Sequence, residues 1–250
     1  MLLIQGMSGH SLHWGEPFLS ELERDFDMIA VDNRGTGQSP RVDGPFTIAE
    51  MADDAVEVLD ELGIESAHVL GISMGGMVAQ ELVLRHPQRV RTLTLGCTYA
   101  GGPEGRLASP EVVQTLADGM RSGDRERAVR AAWEVNVSKA YAADESHYRT
   151  FVATALAKPV AVQVITLQMQ AIAGHDTSAR LGEISAPTLV VHGSEDQMLD
   201  VSNGEAIARE IPGARLERLE GVGHMFWIEQ PERSAQLVRE HALAGAAARQ

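Results

Sequence analysis

Short β-rich runs alternate along the chain with longer segments in which apolar positions recur every three or four residues. The runs LLIQG, DMIAVD, HVLGI, VRTLTLG, PTLVVHG and ARLERLEG each stop at glycine or an acidic residue, where a parallel sheet carries its functional loops. Between them lie amphipathic helices. The clearest is TIAEMADDAVEVLDELGI, in which Ile48, Met51, Ala55, Val58, Leu59 and Leu62 recur at helical spacing and Thr47 with Glu50 forms a capping box. This alternation predicts an α/β protein, a mostly parallel sheet covered by helices on both faces.

One stretch breaks the rhythm. From Ala100 to Ser185 helical patterns appear around Pro110–Arg121, Gly123–Val137, Asp144–Ala157 and Pro159–Ala173, with no convincing strand among them. The expected organisation is a core of residues 1–99 and 186–250 carrying a helical cap of residues 100–185. The segment VAVQVITLQMQAIA is apolar on nearly all sides, as expected of a helix sandwiched between cap and sheet or of a plain core helix. The Ala-rich end ALAGAAARQ reads as the fraying end of a helix.

Composition narrows the function classes. With 44% hydrophobic and 22% charged residues in 250, the chain is globular and able to bury a full core. Cys97 is the single cysteine, so no intramolecular disulfide forms, and no His/Cys cluster offers a zinc site; a reducing, cytoplasmic setting is expected. No apolar run approaches the roughly 20 residues of a bilayer span. MLLIQGM lacks the charged start and cleavage site of a signal peptide. A net charge of −14 without a Lys/Arg stripe makes nucleic acid and anionic membranes poor partners.

The chemistry enters at HVLGISMGGM. A strand must become a helix within a few residues around Ser73, and that reversal leaves room for nothing larger than glycine at Gly71 and Gly75. GISMG matches the G-x-S-x-G nucleophile elbow in the strand–helix context it needs. A helix N-cap serine, the structural alternative, does not account for glycine on both sides.

A serine hydroxyl needs a base and a group that orients the base. Among nine histidines, His224 follows the last strand run in a Gly-rich loop; His192, also at a strand end, is its rival. His68, His86, His147 and His175 read as structural or exposed. For the orienting acid, SEDQMLD after PTLVVHG offers Glu195, Asp196 and Asp200. Asp196 is preferred for its reach, with Glu195 expected to point outward and Asp200 to cap the next helix. No carboxylate follows VRTLTLG, which strengthens Asp196.

The order Ser73, Asp196, His224 resembles that of the α/β-hydrolase family, and the likeness extends over essentially the whole chain. DNRGTGQS and the EQPE after His224 add to it, and the stretch from Gly44 to Met77 is similar to cofactor-independent esterases and to the 3-oxoadipate enol-lactonase-like subgroup. The resemblance implies an oxyanion hole of the backbone N–H groups of Met74 and Met7, with Gln5-Gly6 standing where the family has His-Gly. His10, His13 and Trp14 in the same loop are candidates to line the pocket, or else surface residues.

The implied activity is hydrolysis of a small carboxylic ester or lactone through an acyl-enzyme, with no metal or organic cofactor. C–C bond hydrolysis, perhydrolase or haloperoxidase-like chemistry and cofactor-free oxygenation use the same residues. A non-catalytic ligand receptor is the reading from another class. A carboxylate-bearing enol-lactone would call for a cap arginine, such as Arg121, Arg130 or Arg149, facing the pocket. The resemblance also implies that two strands of the family are missing before Met1. DMIAVD is then expected at a sheet edge, either continued by sequence upstream of Met1 or covered by a loop or a second copy of the chain.

Overall fold

The computed structural model describes residues 1–247. Six strands, β1 (Leu2–Ile4), β2 (Ile29–Val31), β3 (Ala67–Ile72), β4 (Val90–Gly96), β5 (Thr188–Gly193) and β6 (Arg215–Leu219), form one parallel sheet in the order β2-β1-β3-β4-β5-β6. Alternating side chains serve two cores. Leu2, Ile4, Val69, Leu93 and Leu95 pack on one face, and Leu3, Leu70, Ile72, Leu189 and Val191 on the other. β2 pairs only with β1 among the described residues and so lies at an edge.

Among the described residues eleven α-helices surround the sheet or form the insertion. Those of the core are α1 (Glu16–Leu22), α2 (Ile48–Glu61), α3 (Met74–Arg85), α9 (Ser202–Glu210), α10 (Phe226–Glu229) and α11 (Pro231–Ala247). The last three residues of the Ala-rich end lie outside the described residues. The insertion carries α4 (Pro110–Arg121), α5 (Arg125–Asn136), α6 (Lys139–Ala142), α7 (Glu145–Ala157) and α8 (Val162–Ala173). It has a small core of its own around Trp133, Val137 and Tyr148.

At α2 the Thr47 hydroxyl accepts the Glu50 N–H at 3.1 Å and Glu50 accepts the Thr47 N–H at 2.7 Å, satisfying two donors that the helix start would leave unpaired. The buried stripe differs slightly from its expected membership. Ala52 and Val56 join Ile48, Met51, Ala55 and Leu59, while Leu62 ends the helix 56% exposed. The larger difference is at α8, which is not sandwiched on all sides. It buries Val164, Gln168 and Ala171 and leaves Val162 and Met169 exposed. The spacing of the buried three is that of a single helical stripe.

Candidate active site

Ser73, Met74, Asp196, His224 and Met7 all sit beyond the C-terminal ends of the strands. Ser73 joins β3 to α3 at φ 54° and ψ −123°, a conformation that an L-residue holds only when its surroundings impose it. They do so from both sides. The Ser73 N–H donates to the Gly96 carbonyl at 2.9 Å, and the Ser73 carbonyl accepts the Thr98 hydroxyl at 2.7 Å. A Cβ at Gly71 would overlap the Gly75 carbonyl, and one at Gly75 would overlap the Ile4 carbonyl.

Asp196, in the loop after β5, is buried with every lone-pair direction engaged. Oδ1 accepts the N–H groups of Met198 (2.8 Å) and Leu199 (2.9 Å), and Oδ2 accepts Nδ1 of His224 at 2.7 Å. Burial alone would raise this carboxyl's pKa. The His224 charge and the hydrogen bonds from His192 and His224 outweigh burial and hold it well below the usual carboxylate range. With Nδ1 of His224 donating to a carboxylate, its Nε2 is left as the basic nitrogen of the neutral ring.

His192, the rival base, also reaches Asp196, its Nε2 lying 3.1 Å from Oδ2 and 2.7 Å from the Leu199 carbonyl. Its other nitrogen, Nδ1, is buried against Gly204 with no partner among the described residues, so His192 braces the acid from behind. Glu195 is exposed and Asp200 accepts the Ser202 N–H at 2.9 Å beside the start of α9. His68 bonds Thr92, His86 bonds Asp53, and His147 stacks on Tyr141.

The ladder of β3 and β4 ends with Ile72 opposite Gly96, so Ser73 and Cys97 are neighbours just beyond it. Cys97 Sγ, an Asp196 oxygen and a His224 ring nitrogen lie within 4.8 Å of one another, which brings the histidine–aspartate pair to the side of the serine turn. Burial, with the Asp196 charge added, pushes the Cys97 thiol well above its ordinary pKa, so it packs there as a neutral group.

The loop after β1 closes the opposite side. A Cβ at Gly6 would come 3.0 Å from Ser73 Cβ and 3.5 Å from its Oγ. The Gly6–Met7 peptide is therefore flush with the serine. Met74 opens α3, where a backbone N–H has no intrahelical acceptor, and the Met7 N–H has no partner among the described residues. The loop is tied by Asn33 to the Gln5 carbonyl (2.8 Å), by Asp32 to the Ser11 N–H (2.6 Å) and by Gln168 of α8 to the Ser8 N–H (2.8 Å).

Trp14 and His10 are fully buried, which removes the alternative that they are surface residues. Trp14 packs between Phe18 and Trp227 at ring distances of 5.7 and 5.9 Å. With His13, Tyr141 and Phe151 it borders a cleft of about 190 Å³ between the core and α7. Burial and the neighbouring His10 hold His13 at about 4, so it is neutral at pH 7. Arg121 pairs with Asp118 at the surface, Arg130 pairs with Glu145 and covers the Tyr148 ring, and Arg149 is exposed.

Three site contacts were not evident in the sequence: His192 on Asp196, Gln168 on Ser8, and Glu229, which accepts N–H groups from Gly223 (2.8 Å) and Ser138 (3.1 Å) and the Ser138 hydroxyl (2.6 Å). Gln168 did leave a signal, as a polar residue inside an apolar helix.

Fold and site together define a hydrolase of the α/β type. Residues 1–231 match the α/β-hydrolase fold family, to which the chain belongs. It is 30% identical over 234 residues to a putative carbamate hydrolase RutD of Azorhizobium caulinodans, covering 93% of this chain and 86% of the relative. Among solved structures it is similar to a thermophilic esterase from Thermogutta terrifontis, with a TM-score of 0.81, 26% identity and coverage of 98% and 89%. It is equally similar to the enol-lactonase from Burkholderia xenovorans LB400, with a TM-score of 0.81, 26% identity and coverage of 96% and 89%.

Proposed function

We propose that the protein is a serine hydrolase that cleaves a small, uncharged carboxylic ester or lactone through an acyl-enzyme. The observation that carries this reading is the 2.7 Å bond from His224 Nδ1 to Asp196 Oδ2, because it leaves Nε2 as the base on the side of the serine turn. Ser73 Oγ attacks the carbonyl as His224 takes its proton. The N–H groups of Met7 and Met74 hold the oxyanion, and His224 returns the proton to the leaving alkoxide. Water, activated by the same imidazole, then releases the acid and frees Ser73.

The preference for an uncharged substrate rests on the cap arginines. Arg121 is paired with Asp118, Arg130 is paired with Glu145, and Arg149 is exposed. Nothing there supports a carboxylate-bearing lactone in a chain of net charge −14. Esterase, enol-lactonase and carbamate hydrolase, the names carried by the relatives, share attack on an acyl carbonyl.

Active-site labelling with a fluorophosphonate, followed by turnover of esters of graded chain length, lactones and carbamates, tests the proposal. Ser73→Ala is expected to abolish both labelling and turnover. A Ser73→Ala protein that labels and turns over like the wild type overturns it.

A further inference from the structure

We infer that Gln168 is a positioning residue through which the helical insertion holds the oxyanion loop in its working shape. The inference rests on the serine-hydrolase reading above. The loop from Gln5 to Ser11 is fixed at its two ends by the core, through Asn33 and Asp32, and its middle is reached from the insertion by Gln168 Oε1, which accepts the Ser8 N–H at 2.8 Å. Ser8 has φ 56°, in the left-handed region that a non-glycine residue keeps only when held there. It directly follows Met7, whose N–H has no other partner among the described residues, and Gly6, whose place is flush with Ser73.

The choice of residue at 168 argues the same way. Val164, Gln168 and Ala171 form the buried stripe of α8, with Val164 against Gly35 and Ala171 in the main core. Gln168 is fully buried and its Nε2 has no acceptor among the described residues. An apolar side chain would avoid that unpaired donor, so the position is set by what Oε1 does. An oxyanion donor acts only when placed within tenths of an ångström of the developing charge, so loosening Ser8 lowers the rate of the chemical step more than it alters binding.

The test compares Gln168→Leu, which keeps bulk and loses the acceptor, with Met169→Ala on the same helix, in the full chain. Each is measured for kcat and KM on an ester that the wild type turns over, for the rate of fluorophosphonate labelling, and for Tm. The expected result for Gln168→Leu is a fall in kcat and labelling rate of up to about 100-fold with KM changed by less than about threefold. Met169→Ala, on the exposed side of the same helix, stays at wild-type kcat. Should Gln168→Leu fail to fold, Gln168→Asn, whose shorter amide does not span to Ser8, carries the same comparison. A folded Gln168→Leu or Gln168→Asn with kcat within about twofold of wild type overturns the inference. A wild type that does not label at Ser73 overturns the proposed function and this inference with it.

Discussion

His192 and His224 close on the same oxygen of Asp196, at 3.1 and 2.7 Å. They are not equivalent. His224 keeps a free nitrogen beside the serine turn, whereas His192 spends Nε2 on Asp196 and Leu199 and has Nδ1 walled in by Gly204. His224→Ala and Asp196→Asn are therefore expected to lower kcat by about three to six orders of magnitude. His192→Phe leaves the Leu199 carbonyl unpaired and should act on stability, by about 1–3 kcal/mol in urea denaturation, with a far smaller effect on kcat. A His192→Phe loss as large as that of His224→Ala would show that the base was assigned to the wrong ring.

The elbow tolerates no added carbon. At Gly75 a methyl group would overlap the Ile4 carbonyl of the adjoining strand, and backbone cannot rotate aside as a side chain can. Gly75→Ala should destabilise the fold by about 3 kcal/mol or more. An unchanged denaturation midpoint with wild-type labelling of Ser73 would contradict the close approach of α3 and β1.

His175 gives the fold an acid limb. Burial holds it at about 4 where the unfolded chain has 6.5, so between those values the unfolded state binds the extra proton. The share of stability that this residue controls is thus full above pH 6.5 and declines as pH falls toward 4, by about 3 kcal/mol. His175→Phe keeps a ring against Tyr99, 6.1 Å away, and removes the titration. Urea denaturation from pH 7 to pH 4 should show a shallower decline in the variant. Parallel curves for the two proteins would rule this source out.

The six strands were legible because short β-rich runs ending in glycine or acid leave few alternatives, and each run became a strand. The serine turn was legible because its glycines answer to local sterics. What escaped the sequence lies between segments distant along the chain. Gln168 meets Ser8 across 160 residues, and the apolar surroundings of Gln168 reveal a helix without revealing which stripe faces inward. His192 and Asp196 are four residues apart, yet only the turn between them decides that they touch. Trp14 is buried, which its loop sequence does not reveal, because Phe18 and Trp227 pack against it and Trp227 comes from the other end of the chain.

Glu229 ties the insertion to the loop that carries His224. It accepts the Gly223 N–H from one side and the Ser138 N–H and hydroxyl from the other. Gly223 packs so closely on Val137 and Ser138 that a Cβ would lie 2.6 Å from the Ser138 nitrogen. Glu229→Ala orphans two backbone donors, each costing about 1–3 kcal/mol, and should lower kcat because the His224 loop loses its register. Burial raises the Glu229 pKa despite the hydrogen bonds from Ser138 and Gly223. A raised carboxylate pKa penalises the ionised native state, so this residue's contribution improves as pH falls through its folded pKa and is least favourable above it. Glu229→Gln removes that ionisation and keeps one acceptor. Denaturation of both proteins across pH 4 to 8 should show the wild type gaining on Glu229→Gln as the solution is acidified. The opposite trend would mean that the ionised carboxylate is favoured by its donors more than burial disfavours it.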